Sequence, residues 1–195
     1  MSPFLIIAYY TLGNHYQQLS ENLKKSCQEF NLPLFLKPIE DLGSWEKNTH
    51  YKANFISDCL EGFSEDLVYV DVDAEFKRYP YLFESLDCDI AYRTENFKWR
   101  KNEALSGTIF LGNNDKVRSL VNLRKSINEF TPAIRNKPDT WEQANLQRAT
   151  QQSPEIIYEN LPAEYTYIFD HTKSMYPNIS PVIEHFQASR KSTLR

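Results

Sequence analysis

The stretch Leu67-Val68-Tyr69-Val70-Asp71-Val72-Asp73-Ala74-Glu75-Phe76 decides the fold. Leu67 to Val70 shows no polar alternation, so it reads as a strand buried on both faces, the kind found inside a parallel sheet. Asp71 and Asp73 then fall where that strand ends. In an open α/β sheet, ligands bind at the carboxyl ends of the strands. Two carboxylates one residue apart repel each other unless a cation lies between them. Their hard oxygens suit Mg²⁺ or Mn²⁺ that also holds substrate phosphates. Taken alone, Asp-x-Asp is more often a solvated turn or helix start; the buried strand before it brings the metal reading level, so the rest of the chain must supply the deciding residues.

Working outward, the flanking segments set the frame. Phe4 to Tyr10 reads as a first strand, His15 to Phe30 as an amphipathic helix with Leu19, Leu23 and Cys27 on one face, and Leu32 to Leu36 as a second strand. Asp41 to Asn48 reads as a loop. Thr49 is the expected cap of a helix running to about Glu61, with Gly62 as its stop. The order β-α-β-α-β predicts a parallel sheet wound with helices. Further on, the pattern predicts a short helix over Tyr79–Leu86, a strand over Cys88–Tyr92 and a charged, aromatic loop over Thr94–Glu103. It then predicts a strand over Ser106–Leu111, a helix over Asp115–Phe130, and a helix over Thr140–Gln151 capped by Thr140 or Asp139. Strands follow over Glu155–Tyr158, Tyr165–Phe169 and Val182–Phe186, with a loop over His171–Ser180. No linker divides the chain, so residues 1–195 are expected to form a single domain.

Composition bounds the function. The chain has 195 residues, 41% of them hydrophobic, and a net charge of −4. That charge argues against gripping duplex DNA by its phosphates, and makes a nucleic-acid acceptor unlikely. No apolar run approaches a membrane span, and Ser2 to Tyr10 lacks the basic start of a signal peptide. The three cysteines, Cys27, Cys59 and Cys88, are scattered. They have neither metal spacing nor a disulfide framework, and a reducing cytoplasm is the expected compartment.

Several residues are candidates to complete a site around the acid pair. His185 lies in the apolar stretch Val182–Phe186, as either a core histidine or a third metal ligand through imidazole nitrogen. Beside two carboxylates, an imidazole favours Mn²⁺ over Mg²⁺. Arg190 and Lys191 are either a solvated tail or a clamp on a diphosphate. Lys52 is a lone cation on a helix whose neighbours are mostly apolar or small. Ser106-Gly107 offers a hydroxyl beside backbone that a ligand can approach closely. Glu142 and Gln143 open a helix, where an acid is favoured in any case, and an acid–amide pair can hold sugar hydroxyls. The aromatic loop Phe97-Lys98-Trp99-Arg100 can stack on a sugar or a base, or simply anchor itself.

These pieces occur in a particular order: Asp71-Val72-Asp73, then Ser106-Gly107-Thr108-Ile109-Phe110-Leu111, then Glu142-Gln143-Ala144-Asn145-Leu146-Gln147, then Ile183-Glu184-His185-Phe186-Gln187-Ala188-Ser189-Arg190. Over almost its whole length the chain resembles the GT-A nucleotide-sugar transferases, and within them glycosyltransferase family 8 and small bacterial and viral glycosyltransferases. The resemblance implies a GT-A, Rossmann-like α/β fold with a mixed, mostly parallel central sheet flanked by helices. It implies a metal-dependent hexosyltransferase moving a sugar from a nucleoside diphosphate donor, a UDP-sugar, to a glycan or other hydroxyl acceptor. By the same resemblance, Asp71, Asp73 and His185 hold Mn²⁺ (or Mg²⁺), and Asp71 also touches the donor. Lys52, Ser106 and Gly107 lie along the donor, Arg190 and Lys191 fold over its diphosphate, and Ala8, Tyr9 and Thr11 flank the nucleobase. Glu142 and Gln143 are the catalytic pair on the sugar face away from the leaving group. The usual pair is Asp-Gln, and the usual cation in the place of Lys52 is arginine, so Glu142 and Lys52 are departures.

Retention of anomeric configuration follows if the resemblance holds, whereas a Glu142 that serves the acceptor as general base would invert it. Two other readings of the acid pair stay open. One is a phosphatase-like hydrolase with Asp71 as nucleophile and Asp73 as general acid, although that class places its acid strand first in the chain. The other is a non-catalytic module that binds a nucleotide sugar without turnover.

Overall fold

The computed structural model describes residues 3–97, 100–131, 133–134 and 137–187. The first half runs β1 (Phe4–Thr11), α1 (His15–Glu29), β2 (Leu34–Ile39), α2 (Trp45–Gly62), β3 (Asp66–Val70) and β4 (Ala74–Phe76). The second half runs β5 (Ile90–Phe97), β6 (Arg100–Leu111), α3 (Asp115–Phe130), α4 (Glu142–Gln151), β7 (Tyr158–Asn160), β8 (Tyr167–Ile168), α5 (His171–Met175) and β9 (Ile183–His185). Short 3₁₀ turns occupy Tyr81–Glu84, Pro138–Thr140 and Ala163–Tyr165.

Among the described residues, six strands form the central sheet in the order β2-β1-β3-β6-β5-β7, and only β6 runs against the others. This is the expected mixed, mostly parallel sheet. Its inner strands are apolar on both sides because both sides are covered. Phe4, Ile6 and Ala8 of β1, with Val68 and Val70 of β3, pack toward Leu23 and Cys27 of α1. Ile7, Tyr9, Leu67 and Tyr69 pack the other way, onto Phe55 and Ile56 of α2, Val117 and Leu120 of α3, and Leu146 of α4.

Local chemistry sets the element ends. Asn14, Ser44 and Asn114 cap α1, α2 and α3 by accepting from backbone N–H groups. Ser44 therefore replaces Thr49 as the cap of α2, and that helix takes in much of the segment expected as a loop. Helix α4 begins at Glu142, not Thr140, and its N-cap Trp141 makes no side-chain capping bond. The expected second strand is shifted to Leu34–Ile39, the short helix after the acids is a 3₁₀ turn over Tyr81–Glu84, and the strand expected at Glu155–Tyr158 lies at Tyr158–Asn160.

Thr94–Glu103 is a larger correction. β5 and β6 extend together beyond the sheet as a hairpin, pairing Thr94 with Ala104 and Glu95 with Glu103, with irregularities after Tyr92 and Glu95. Its charges fit because Arg93 and Glu95 share one face of β5 and pair with each other, Arg93 Nε donating to Glu95 Oε2 at 2.9 Å. Part of the expected loop 171–180 is α5, which starts where Asp170 accepts from the backbone of His171 at 2.6 Å.

A second sheet decides the geometry of the acids. Its order is β4-β9-β8. β4 and β9 are antiparallel, with Ala74 opposite His185. This ladder carries a residue from near the chain's end to the tip of β3.

Candidate functional site

Asp71 and Asp73 flank a tight turn closed by the Ala74 N–H donating to the Asp71 carbonyl at 2.9 Å. Val72 between them is buried in the core. With that middle side chain anchored inward, the two acids stay at the cavity wall. The turn is also tied to β6, because the Asp71 N–H donates to the Gly107 carbonyl at 2.8 Å. Asp71, Asp73, Ser106, Gly107, Glu142, Gln143 and His185 all line one cavity of about 580 Å³ at the carboxyl ends of β1 and β3.

Lys52 is the hub. It is 2% exposed. Its ammonium lies 3.0 Å from Asp71 Oδ1 and 2.8 Å from Glu142 Oε1, and donates to the Ser106 carbonyl at 3.0 Å. It also sits over the Tyr69 ring, 4.7 Å from the centroid. An unpaired ammonium at this depth would cost several kcal/mol, so the two carboxylates are what make a buried lysine tenable. Tyr69 closes the circuit, its hydroxyl donating to Asp71 Oδ1 at 2.8 Å.

Glu142 is held from both sides. Its Oε1 accepts from Lys52 and from the Ser106 hydroxyl, and its Oε2 accepts from Arg124 of α3. Burial alone would push this carboxyl up. The two cations and the hydrogen bonds outweigh it and hold Glu142 below its ordinary range, so it is an anion. Arg124 itself is 1% exposed. Gln143, next in the chain, donates from Nε2 to Glu103 Oε1 on the β5–β6 hairpin.

His185 is also buried. Its Nε2 is 2.8 Å from the Thr108 hydroxyl, which fixes the ring plane. Its Nδ1 lies 3.7 Å from Asp73 Oδ1, beyond hydrogen-bond reach. Gly107 adjoins this gap. A Cβ built there would meet His185 Nδ1 at 3.2 Å and Asp71 Oδ2 at 3.4 Å. Imidazole nitrogen and carboxylate oxygen thus converge on space that only a glycine leaves open, and this donor set fits Mn²⁺. Among the described residues, no group of three or more His, Cys, Asp or Glu side chains is placed so as to hold a metal ion. The field of the acids reaches further. Burial, then Asp73 and Asp71, push the Tyr16 hydroxyl up to about 12.

No family model matches the sequence, and no curated protein matches it significantly. Solved structures do match. Over 97% of this chain and 95% of the other, the structure resembles a glycosyltransferase involved in the glycosylation of the major capsid of PBCV-1, with a TM-score of 0.73 at 12% identity. The fold is a glycosyltransferase fold. The apo-form glycosyltransferase GlyE of Streptococcus pneumoniae TIGR4 matches with a TM-score of 0.64 at 13% identity, over 93% of this chain and 54% of that one. The galactosyltransferase LgtC, solved in complex with donor and acceptor sugar analogs, matches at 0.58 and 9% identity, over 93% and 86%.

Within this glycosyltransferase fold, most of the expected site residues come together. Tyr9 and Thr11 line the cavity with Tyr10. Ala8 does not: it is fully buried in the core, set back from the carboxyl end of β1 where the strand opens on the cavity. Arg190 and Lys191 lie outside the described residues, as do Lys98 and Trp99 of the aromatic segment. Phe97 does line the cavity, its ring stacked on His171 at 4.5 Å. The sequence reading gave no role to Arg124, Thr108, Tyr69 or Trp45. Arg124 had a signal, since it continues the buried stripe Val117, Leu120, Val121 of α3, where a charge needs a buried partner.

Proposed function

We propose that this chain is a retaining glycosyltransferase that moves a sugar from a UDP-sugar to a hydroxyl acceptor, with Mn²⁺ (or Mg²⁺) held by Asp71, Asp73 and His185. The observation that carries this reading is the circuit that joins Asp71 to the buried Lys52, Glu142 and Ser106 at the carboxyl ends of the parallel strands of a glycosyltransferase fold. When bound, the metal would supply a Lewis acid that neutralises charge growing on the leaving diphosphate.

The chain's own groups have the following roles. Lys52 fixes Asp71 and Glu142 relative to each other, so the diphosphate end and the sugar end of the cavity keep one spacing. Glu142 and Gln143 present a fixed negative and polar edge to a sugar whose anomeric carbon gains positive charge. The bond from that carbon to the diphosphate breaks, the bond to the acceptor oxygen forms on the same face, and the acceptor proton passes to the departing diphosphate oxygen. Retention is favoured because Glu142 is a poor base: it has three donors and its carboxyl is held below the ordinary range.

Titrating UDP, UDP-glucose and UDP-galactose with and without Mn²⁺ tests the reading. Wild-type protein should bind one or more of them only with Mn²⁺, and an Asp71→Asn/Asp73→Asn double variant should lose that binding. Failure of these, and then of GDP- and CDP-sugars, would leave the hydrolase or a different module.

A further inference from the structure

The cavity continues past the sugar-facing pair to a wall that the proposed transfer leaves unused. From the buried Lys52, the inward stripe of α2 rises through Thr49 to Trp45, at the helical spacing of i, i−3 and i−7. Opposite stands Trp141, one residue before Glu142 and Gln143. The two indoles meet edge to face, with centroids 5.7 Å apart and planes at 79°. Both are only half-buried, and both line the same cavity as Asp71 and Glu142. Trp141 is pinned, since its Nε1 donates to the Ile134 carbonyl at 3.1 Å.

Two rings near a right angle make an apolar corner with one rigid wall. A pyranose fits such a corner. The C–H bonds on its face carry partial positive charge and lie against the negative face of an indole, while its hydroxyls point to the polar rim. Charge narrows the ligand class further. Among the described residues, the cavity wall carries Asp71, Asp73, Glu103 and Glu142 against one cation, Lys52, with Arg124 paired behind Glu142. An anionic ligand at the tryptophan end would meet this excess of carboxylates and be repelled.

We infer that Trp45 and Trp141 form the acceptor subsite, and that it takes a neutral pyranose of a glycan. This rests on the transferase reading for the donor. Its position also separates it from the acid pair: Trp141 adjoins the residues proposed to face the sugar, whereas Tyr16, on another part of the cavity wall, feels the charges of Asp73 and Asp71.

The experiment is saturation-transfer NMR and tryptophan fluorescence with an array of neutral di- and trisaccharides, lactose, maltose and maltotriose among them, beside sialyllactose, in UDP and Mn²⁺. The variants are Trp45→Ala, Trp141→Ala and the conservative Trp45→Phe, each checked for cooperative unfolding. The expected result is that a neutral glycan binds wild type. Its affinity falls at least tenfold in both alanine variants and less than threefold in Trp45→Phe, while affinity for UDP changes less than threefold in all. The inference is overturned if no neutral glycan in the array binds, if sialyllactose binds best, if the alanine variants bind glycan as wild type does, or if they lose UDP and keep glycan. A wild-type protein that binds glycan through these tryptophans but no nucleotide diphosphate refutes the transferase reading and leaves the subsite standing.

Discussion

Lys52 and Glu142 are 90 residues apart in sequence and 2.8 Å apart in the folded protein, and Arg124 closes on the far oxygen of the same carboxylate. Two cations on one buried anion place the whole sugar end of the cavity under one electrostatic constraint. Removing Arg124 as Arg124→Met should lower stability by about 3–5 kcal/mol, because Glu142 keeps its burial and loses a partner. Adding Glu142→Gln to that variant should restore part of the loss, since an amide needs less compensation. Urea unfolding of the two single variants and the double variant measures the coupling. Additive effects would mean that the pair is not coupled.

The same carboxylate gives acid sensitivity. Its folded-state value lies below the ordinary 4.5, so its contribution to stability is present above about pH 4.5 and is lost as pH falls through the lowered folded value. Glu142→Gln should therefore be most destabilised relative to wild type near pH 7, and the gap should shrink below pH 4. Unfolding midpoints at pH 7 and pH 3.5 check this. A gap that does not vary with pH would assign the loss to packing.

Gly107 is predicted to be intolerant for a local reason. In Gly107→Ala, the new Cβ would stand 3.1 Å from His185 Cε1 and 3.2 Å from Nδ1, tight enough that the imidazole must move. Metal-dependent donor binding should fall at least tenfold, with a much smaller change in melting temperature. Calorimetric titration beside a thermal melt separates the two. Unchanged binding would remove His185 from the ligand set.

Thr108 acts on His185 from the other side. Thr108→Val keeps the shape of the side chain and deletes the oxygen 2.8 Å from Nε2. Partners that orient a ligating histidine are typically worth 10–100-fold in metal affinity, so Mn²⁺-dependent UDP binding should weaken by about that factor. Thr108→Ser should restore it.

The thiols should be silent in the folded protein. Burial pushes Cys27 and Cys59 up to about 12, and burial with nearby acids does the same to Cys88. At pH 8 such thiols are ionised at about one part in ten thousand. Reaction with Ellman's reagent should be at least 100-fold slower in native protein than in urea.

The strand and the acid pair were legible because a two-sided apolar run followed by carboxylates has few other solutions. Helix α3 was read with its observed bounds, which in the structure coincide with its buried stripe and its Asn114 cap. The hairpin after Tyr92 was not legible. Its composition is charged, and its strand character comes from the cross-strand ladder and the Arg93–Glu95 pair, neither of which period or propensity encodes. At the site, Lys52 was picked out as a lone cation on its helix and Glu142 by motif order. Arg124 and Trp45 were missed because the one signal available for each, a charge or an indole continuing a helix stripe, acquires meaning only when the facing helix is known.

The ladder between β4 and β9 has a consequence for how the protein comes into being. His185 is brought beside Asp73 by the pairing of residues 74–76 with 183–185, extended by the Phe186 N–H donating to the Asp73 carbonyl. A growing chain can therefore complete its main sheet, through residue 160, while its reaction centre is still missing a wall. The short second sheet acts as a latch that joins a late segment to the tip of β3, so unpairing it should open the wall beside Asp73 while the main sheet keeps its strand order.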